Sequence, residues 1–291
     1  MIKRIFHSTI AKIIIGFVVI IAAYYLPLVG LNNILRAFKE IQIARLIIVP
    51  IISIIFVLLS YIALYRYYEK RKITEFSIRN VGKYFLIGLL LGLLLPSLSI
   101  LVAYLKGEYI ILSVNYLTNI FLRDLTISIC FGIATAVFEE VLFRGVFFRL
   151  MEEKLGSYIA LIISALVFGF VHLLNENSSL LAAVAISVEA GVLLAAAYIY
   201  TRNLWFPIAI HFAWNFCVGD FWGTEVSGNA PSTPIIVSKL EGSEWLTGGV
   251  FGIEASVQAM IFGLIAGIIL LVLSHKKGNI KKQQVFKMKT E

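Results

Sequence analysis

The stretch ATAVFEEVLFRGVFFRLMEEKLG, residues 134–156, places ionisable side chains inside an otherwise apolar helical pattern. Charged groups in the hydrocarbon layer of a membrane are unfavourable, so they usually face a protein interior and mark function. Helical spacing sets Glu140 and Arg144 one turn apart on one face, with the acid first, which is the better order for an ion pair. Glu139 points about 100° away and lacks this partner. The stretch therefore predicts a buried helix with one paired and one unpaired acid.

The composition around this helix is that of an integral membrane protein. The 291 residues are 60% hydrophobic and 14% charged, with a mean hydropathy of +0.92, far from the roughly half-apolar norm of soluble domains. A helix needs roughly 20 apolar residues to cross a bilayer. We therefore expect an all-α, polytopic bundle of about eight transmembrane helices. The predicted spans are residues 13–29, 46–65, 84–105, 119–150, 158–174, 180–200, 204–221 and 248–274.

The distribution of charge predicts the orientation. Basic residues cluster before the first span, between the second and third spans, and in the tail, and the positive-inside rule makes such segments cytoplasmic. Both termini are then cytoplasmic, and residues 219–246, with four acids and one lysine, lie outside. The net charge of +8 needs no nucleic-acid partner. We expect a protein of a bacterial cell membrane. The basic residues include Lys3, Arg4, Lys12, Arg66, Lys70, Arg71, Lys72, Arg79, Lys83, Lys276, Lys277, Lys281, Lys282, Lys287 and Lys289.

A histidine in the fifth predicted span matches Glu140 in depth. The segment FGFVH ends with His172, one helical turn after Phe168. We expect the chain to turn at Gly156. Glu140 lies 16 residues before this turn, and His172 lies 16 residues after it. Both side chains therefore lie about 24 Å from the turn.

The seventh predicted span carries two further polar residues. His211 and Asn215 lie four residues apart in HFAWN and project from one helix face. If the chain turns at Arg202, Asn215 follows the turn by 13 residues and Glu189 precedes it by 13. Glu189 is either a structural partner for Arg144 or for a hydroxyl, or the lining of a cavity. The sequence leaves these interpretations open.

The motifs FEEVLFRG, FGFVH and HFAWN, in this order on successive apolar spans, resemble three signatures of the CAAX-protease and bacteriocin-processing (CPBP or Abi) family. The resemblance covers roughly residues 124–218. It implies an α-helical intramembrane peptidase whose active site lies in a cavity between helices, open toward the cytoplasmic side. Carried over by position, the site residues are Glu139, Glu140, Arg144, His172, His211 and Asn215.

This resemblance suggests three regions along the chain. Residues 1–115 form an N-terminal three-helix membrane region, and residues 116–221 form the catalytic helical core. Residues 222–291 contain an outer loop, the last transmembrane helix and the basic tail.

The implied site residues suit peptide hydrolysis, which needs an activated water, a stabilised oxyanion and a proton for the leaving amine. Glu139 is the expected general base, and His172 shares the water and relays the proton. His211 and Asn215 are expected to donate hydrogen bonds to the oxyanion. Glu140 holds the helix and orients the base through its ion pair.

Zinc is the alternative to a metal-independent glutamate mechanism. A catalytic zinc usually takes three protein ligands, which His172, His211 and either Glu139 or Glu189 could supply. The chain contains no H-E-x-x-H motif. The sequence therefore favours a mechanism without a cofactor.

Two other function classes are compatible with buried acids and histidines. An ion-coupled transporter uses such groups as proton relays, but it predicts inverted repeats, and none is visible in the sequence. A noncatalytic bacteriocin-immunity scaffold would keep the fold without the activity. For the peptidase, the expected partners are membrane lipid and a peptide or lipidated protein substrate.

Overall fold

The computed structural model describes residues 8–283, which fold into helices joined mostly by short turns. The predicted basic residues Lys3, Arg4, Lys287 and Lys289 lie outside the described range. Long helical segments in that range are α1 (Thr9–Leu35), α2 (Lys39–Tyr68), α3 (Val81–Leu105), α4 (119–155), α5 (157–174), α6 (Leu180–Thr201), α7 (205–221) and α8 (Val257–Lys276).

The prediction of an all-α polytopic membrane bundle is confirmed. Within residues 8–283, six helices are long and apolar enough to cross a membrane. One of them, Asn119–Leu174, contains both α4 and α5. Gly156 separates the two helices, since its φ of 75° and ψ of 171° are not helical. The segment α7 consists of 11 α-helical and 6 π-helical residues and is shorter than a usual span. The predicted number of about eight is therefore approximate, and the chain is an integral membrane protein.

Helix α6 lies at the centre of the bundle. In the apolar 18-residue stretch of α6, 67% of the residues are buried, against 28% in that of α1 and 33% in that of α8. Glycines let the neighbouring helices approach it, as small residues commonly do in membranes. A Cβ on Gly169 of α5 would lie 2.0 Å from the Ser187 hydroxyl, and one on Gly263 of α8 would lie 2.6 Å from the Glu189 carbonyl oxygen. The turn that carries Glu189 is thus enclosed between α5 and α8.

Ion pairs join the segments at one end of the bundle, which we call the basic end (residues 66–83, 149–157, 199–203 and 276–283). Arg149 lies 3.1 Å from Glu69, which follows α2. Arg202, in the turn between α6 and α7, donates to Glu152 near the end of α4 at 2.9 Å. The turns at Gly156 and Arg202 therefore lie at the same end of the bundle. This agrees with the sequence prediction, which counted residues from each turn to compare their depths.

The opposite end carries the outer segment, residues 222–256. Its strand β2 (Ile236–Leu240) pairs antiparallel with β1 (Tyr109–Val114), which follows α3. The sequence analysis did not anticipate these strands. The predicted start of the last span at residue 248 was also wrong, because three glycines in residues 248–252 have a positive φ and α8 begins only at Val257.

The contact between α3 and α7 depends on Gly92. A Cβ there would lie 2.3 Å from the Ile210 carbonyl oxygen and 2.7 Å from Cβ of Ala213. We expect Gly92→Ala to force the helices apart and to destabilise the protein by about 1–3 kcal/mol. Thermal unfolding of the purified protein in detergent measures the effect.

The matched control is Gly82→Ala on the same helix, where an added Cβ meets nothing within 4 Å. Alanine is the better helix former, so this variant should keep or raise the unfolding midpoint. If both variants unfold at the same temperature, the close approach of α3 and α7 is contradicted.

Candidate active site

Glu140 joins two helices through a single carboxylate oxygen. Its Oε1 lies 2.8 Å from Nη1 of Arg144 and 2.9 Å from Nδ1 of His211. The side chains of Glu140 and Arg144 are both fully buried. The predicted ion pair is therefore present in α4, and its acid also fixes the imidazole of α7.

Arg144 connects α4 to two further helices. Its guanidinium lies 4.3 Å from the centre of the Phe168 ring on α5, and Nη2 lies 3.4 Å from the carbonyl oxygen of Gly191 on α6. Arg144 belongs to the π-helical turn Val141–Phe148, and such turns are frequent at functional sites. Four helices thus meet around one ion pair.

Glu139 is the unpaired acid of the predicted pair. Its Oε2 is buried and has no hydrogen-bond partner among residues 8–283, while 19% of its side chain is exposed. This oxygen lies 3.9 Å from Nε2 of His211, which is longer than a hydrogen bond. His211 therefore lies between the two glutamates, with a different nitrogen toward each.

The protonation of both imidazoles follows from their partners. Nδ1 of His172 lies 2.8 Å from the carbonyl oxygen of Phe168, and a carbonyl can only accept. Nδ1 of His211 faces the carboxylate of Glu140, which accepts in the same way. Both Nδ1 atoms are therefore assigned as donors, which leaves Nε2 as an acceptor in a neutral ring. The expected donation from His211 to an oxyanion then requires a protonated ring, whereas Asn215 can donate without one.

A cavity of about 20 Å³ lies between α5, α6 and α7, and this is enough room for a water molecule. His172, His211 and Asn215 line it together with Glu189. The predicted equal depth of Glu189 and Asn215 agrees with this shared lining, whereas Glu140, which was matched with His172, does not line the cavity. Glu139 is not part of this lining and lies beside His211 instead.

Glu189 lines the cavity and has no ion-pair partner. It is fully buried, and neither carboxylate oxygen has a hydrogen-bond partner among residues 8–283. The interpretation as a structural partner for Arg144 is wrong, because Arg144 contacts Glu140 and backbone carbonyls of α6. The cavity-lining interpretation is confirmed.

Glu254, at the end of the outer segment, is a site residue that the sequence analysis missed. It is 2% exposed, accepts a hydrogen bond from Nε1 of Trp214 at 2.9 Å, and accepts another from the backbone N–H of Ser227. All three residues line the cavity. A signal was available, because Glu254 interrupts the predicted span 248–274 just as Glu139 interrupts the fourth span.

The outer segment covers the cavity on the side away from the basic end. Side chains that follow α5 hold its turn in place, since Asn175 donates to the carbonyl oxygen of Ser227 at 3.1 Å and Asn177 donates to that of Gly228 at 2.9 Å. The family resemblance implied an opening toward the basic, cytoplasmic side. His172 is 16 residues beyond the Gly156 turn, and Ser227 and Glu254 of the outer segment line the cavity, so it lies toward the end opposite the basic end. The opening toward the cytoplasmic side stays a prediction.

The residues named as zinc ligands do not fit that role in this structure. Among residues 8–283, no three His, Cys, Asp or Glu side chains are arranged to hold a metal ion. Glu139 is separate from the cavity that His172 lines. Glu189 shares that cavity with His172 and His211, but these three side chains are not arranged around one point. The proposed donors therefore do not converge on one point.

Comparisons with known proteins agree with the resemblance in the motifs. Residues 121–217 match the family described as Type II CAAX prenyl endopeptidase Rce1-like. The protein named "Putative membrane peptidase YdiL" of Bacillus subtilis (strain 168) is 31% identical over 84 residues, which are 29% of this chain and 32% of that protein. The match thus spans about a third of that relative. No solved structure matches the chain. The predicted resemblance to this group of proteases is confirmed over the matched segment.

The two adjacent acids should differ in their effect on stability. Glu140→Gln leaves Arg144 as a buried cation without a counter-charge, which typically costs 3–5 kcal/mol. Glu139→Gln removes no hydrogen bond from Oε2 and should change the stability little. Thermal unfolding in detergent compares the two variants under the same conditions. Equal losses of stability would contradict the separate roles of the two acids.

Proposed function

We propose that this chain is an intramembrane endopeptidase that hydrolyses a peptide bond in a membrane-associated substrate. The observation that carries the proposal is the carboxylate of Glu139, with a buried, unpaired oxygen 3.9 Å from Nε2 of His211. A water that reaches the exposed part of the Glu139 side chain could lose a proton to the carboxylate, as general-base catalysis requires. The match of residues 121–217 to the prenyl endopeptidase family supports the same class of reaction.

In the proposed reaction, Glu139 removes a proton from the water while the water oxygen bonds to the substrate carbonyl carbon. The carbonyl oxygen becomes an oxyanion, and the side-chain amide of Asn215 donates a hydrogen bond to it. One such donor is typically worth about 3 kcal/mol. The C–N bond then breaks, and the leaving nitrogen takes the proton from Glu139, directly or through Nε2 of His172. The products are a carboxylic acid and an amine.

Glu140 and Arg144 are proposed as positioning residues for this reaction. Glu140 accepts a hydrogen bond from Nδ1–H of His211 and so directs Nε2 toward Glu139. Arg144 balances the charge of Glu140 in the apolar interior. Neither residue needs to contact the substrate to affect the rate, because both determine where the imidazole of His211 lies.

The proposed orientation affects the choice of substrate. If the basic end faces the cytoplasm, the cavity lies nearer the outer face of the membrane. This position favours a peptide that crosses or leaves the membrane, such as a bacteriocin-type precursor, over a prenylated tail at the cytoplasmic face. Membrane lipid surrounds the bundle in either case, and a lipidated protein is the second substrate class.

Replacement of Glu139 tests the proposed base. Glu139→Gln should lower the cleavage rate by about 10²–10⁴-fold while the unfolding temperature stays close to that of the wild type. The assay uses purified protein in detergent with a prenylated CAAX peptide and a library of transmembrane peptides. Glu153→Gln, at the basic end and with a side chain 43% exposed, is the control that should keep full activity.

Cleavage that survives Glu139→Gln would contradict the assignment of the base. Absence of cleavage by the wild type across the library would instead favour an ion-coupled transporter or a noncatalytic immunity scaffold.

The zinc alternative predicts a different response to chelators. We propose a metal-independent mechanism, which is supported by donors that do not converge, so 1,10-phenanthroline should leave the cleavage rate unchanged. Metal analysis of the same sample accompanies the assay. Loss of activity on chelation that added zinc restores would overturn the metal-independent mechanism.

A further inference from the structure

The cavity contains an acid that the proposed reaction does not use. Glu189 is fully buried in α6, the helix at the centre of the bundle. Both of its carboxylate oxygens lack a hydrogen-bond partner among residues 8–283. A buried carboxyl group without a partner is strongly unfavourable in its ionised form, and an ionisable residue in this position usually marks function.

The other charged groups around the cavity already have partners. Arg144 is paired with Glu140. Glu254 receives hydrogen bonds from Trp214 and from the backbone of Ser227. His172 donates to a backbone carbonyl. The cavity therefore has acceptors on Glu189 but no protein donor directed at them among the described residues.

We propose that Glu189 forms a subsite for a primary ammonium group of the substrate, with Glu254 as a second acid on the same cavity. The subsite rests on the proposed peptidase function for its location, since the same cavity is lined by His172, His211 and Asn215. It extends that function by giving the substrate a cationic residue or terminus next to the cleaved bond.

The surroundings of Glu189 suit a compact cation. An ammonium is a small point charge with three donors, whereas a guanidinium is a wide planar fork. The cavity has room for a water-sized group such as an ammonium head, and Phe168 and Trp214 supply aromatic surfaces in its lining, which attract cations through their ring faces. A neutral apolar group would leave the carboxylate of Glu189 without a partner.

A lysine side chain and a free peptide N-terminus both provide a primary ammonium. Peptide pairs distinguish these two sources. In one pair, lysine next to the cleaved bond is replaced by norleucine in an N-acetylated peptide. In the other pair, the N-terminus is free or acetylated and lysine is absent. The source that occupies the subsite is the one whose removal lowers kcat/KM.

Binding can be measured without any peptidase activity. We compare the shift of the unfolding midpoint caused by n-butylammonium with that caused by n-butanol, at equal ionic strength in detergent. A ligand that binds only the folded protein raises its midpoint, so butylammonium should raise that of the wild type by about 3 °C or more and butanol should not. The shift should disappear in Glu189→Gln. It should persist in Glu241→Gln, a control on the outer segment with a side chain 59% exposed.

Equal shifts with both ligands in the wild type would overturn the subsite, and this comparison holds even if Glu189→Gln does not fold. An undiminished shift in a folded Glu189→Gln would overturn it as well.

The kinetic assay separates the subsite from the proposed function. We expect kcat/KM to fall at least about tenfold when the preferred ammonium is removed from the substrate, because this is the effect of losing one modest charge interaction. In Glu189→Gln, the two substrates should be cleaved with the same kcat/KM. Cleavage with no preference for either ammonium would overturn the subsite and leave the peptidase intact. Stabilisation by butylammonium without any cleavage would support the subsite and contradict the peptidase.

Discussion

The contact of one glutamate oxygen with Arg144 and His211 is the constraint on which the rest of the site depends. Glu140 is fully buried, and a buried carboxylate needs a counter-charge and hydrogen-bond donors. Its Oε1 has both, while Oε2 has no hydrogen-bond partner among residues 8–283. Arg144 supplies the charge, and Nδ1 of His211 supplies a second donor. These groups come from α4 and α7. Both contacts can form only when the two helices are at one depth and one rotation relative to each other. Glu139 then faces the other nitrogen of His211.

The bundle around this ion pair is built for close approach of helices. Lipid offers no hydrophobic gain for bringing apolar helices together, so packing of small residues and polar contacts determines which helices meet. Gly169 and Gly263 leave no room for a side chain against α6, and Arg144 reaches backbone carbonyls of the same helix. An acid on this central helix therefore cannot escape to water, and Glu189 is held in the cavity.

The outer segment is more than a connection between α7 and α8. Its Glu254 and Ser227 complete the cavity, and Asn175 and Asn177 fasten its turn to the end of α5. Access to the cavity therefore depends on a part of the chain that lies outside the segment with family resemblance, residues 121–217.

The sequence by itself determined the features that arise from short-range spacing and from composition. Hydropathy predicted the membrane bundle, and a spacing of four residues predicted the pair of Glu140 with Arg144. Counting from Gly156 matched His172 with Glu140, and counting from Arg202 matched Asn215 with Glu189; His172, Asn215 and Glu189 line one cavity. The tertiary structure alone decided which nitrogen of each imidazole is free, that Glu254 joins the cavity, and that Glu189 has no hydrogen-bond partner within residues 8–283. Helical periodicity fixes side-chain directions on one helix. The rotation of one helix against another, and the course of a glycine-rich loop, depend on packing between residues that are far apart in the chain.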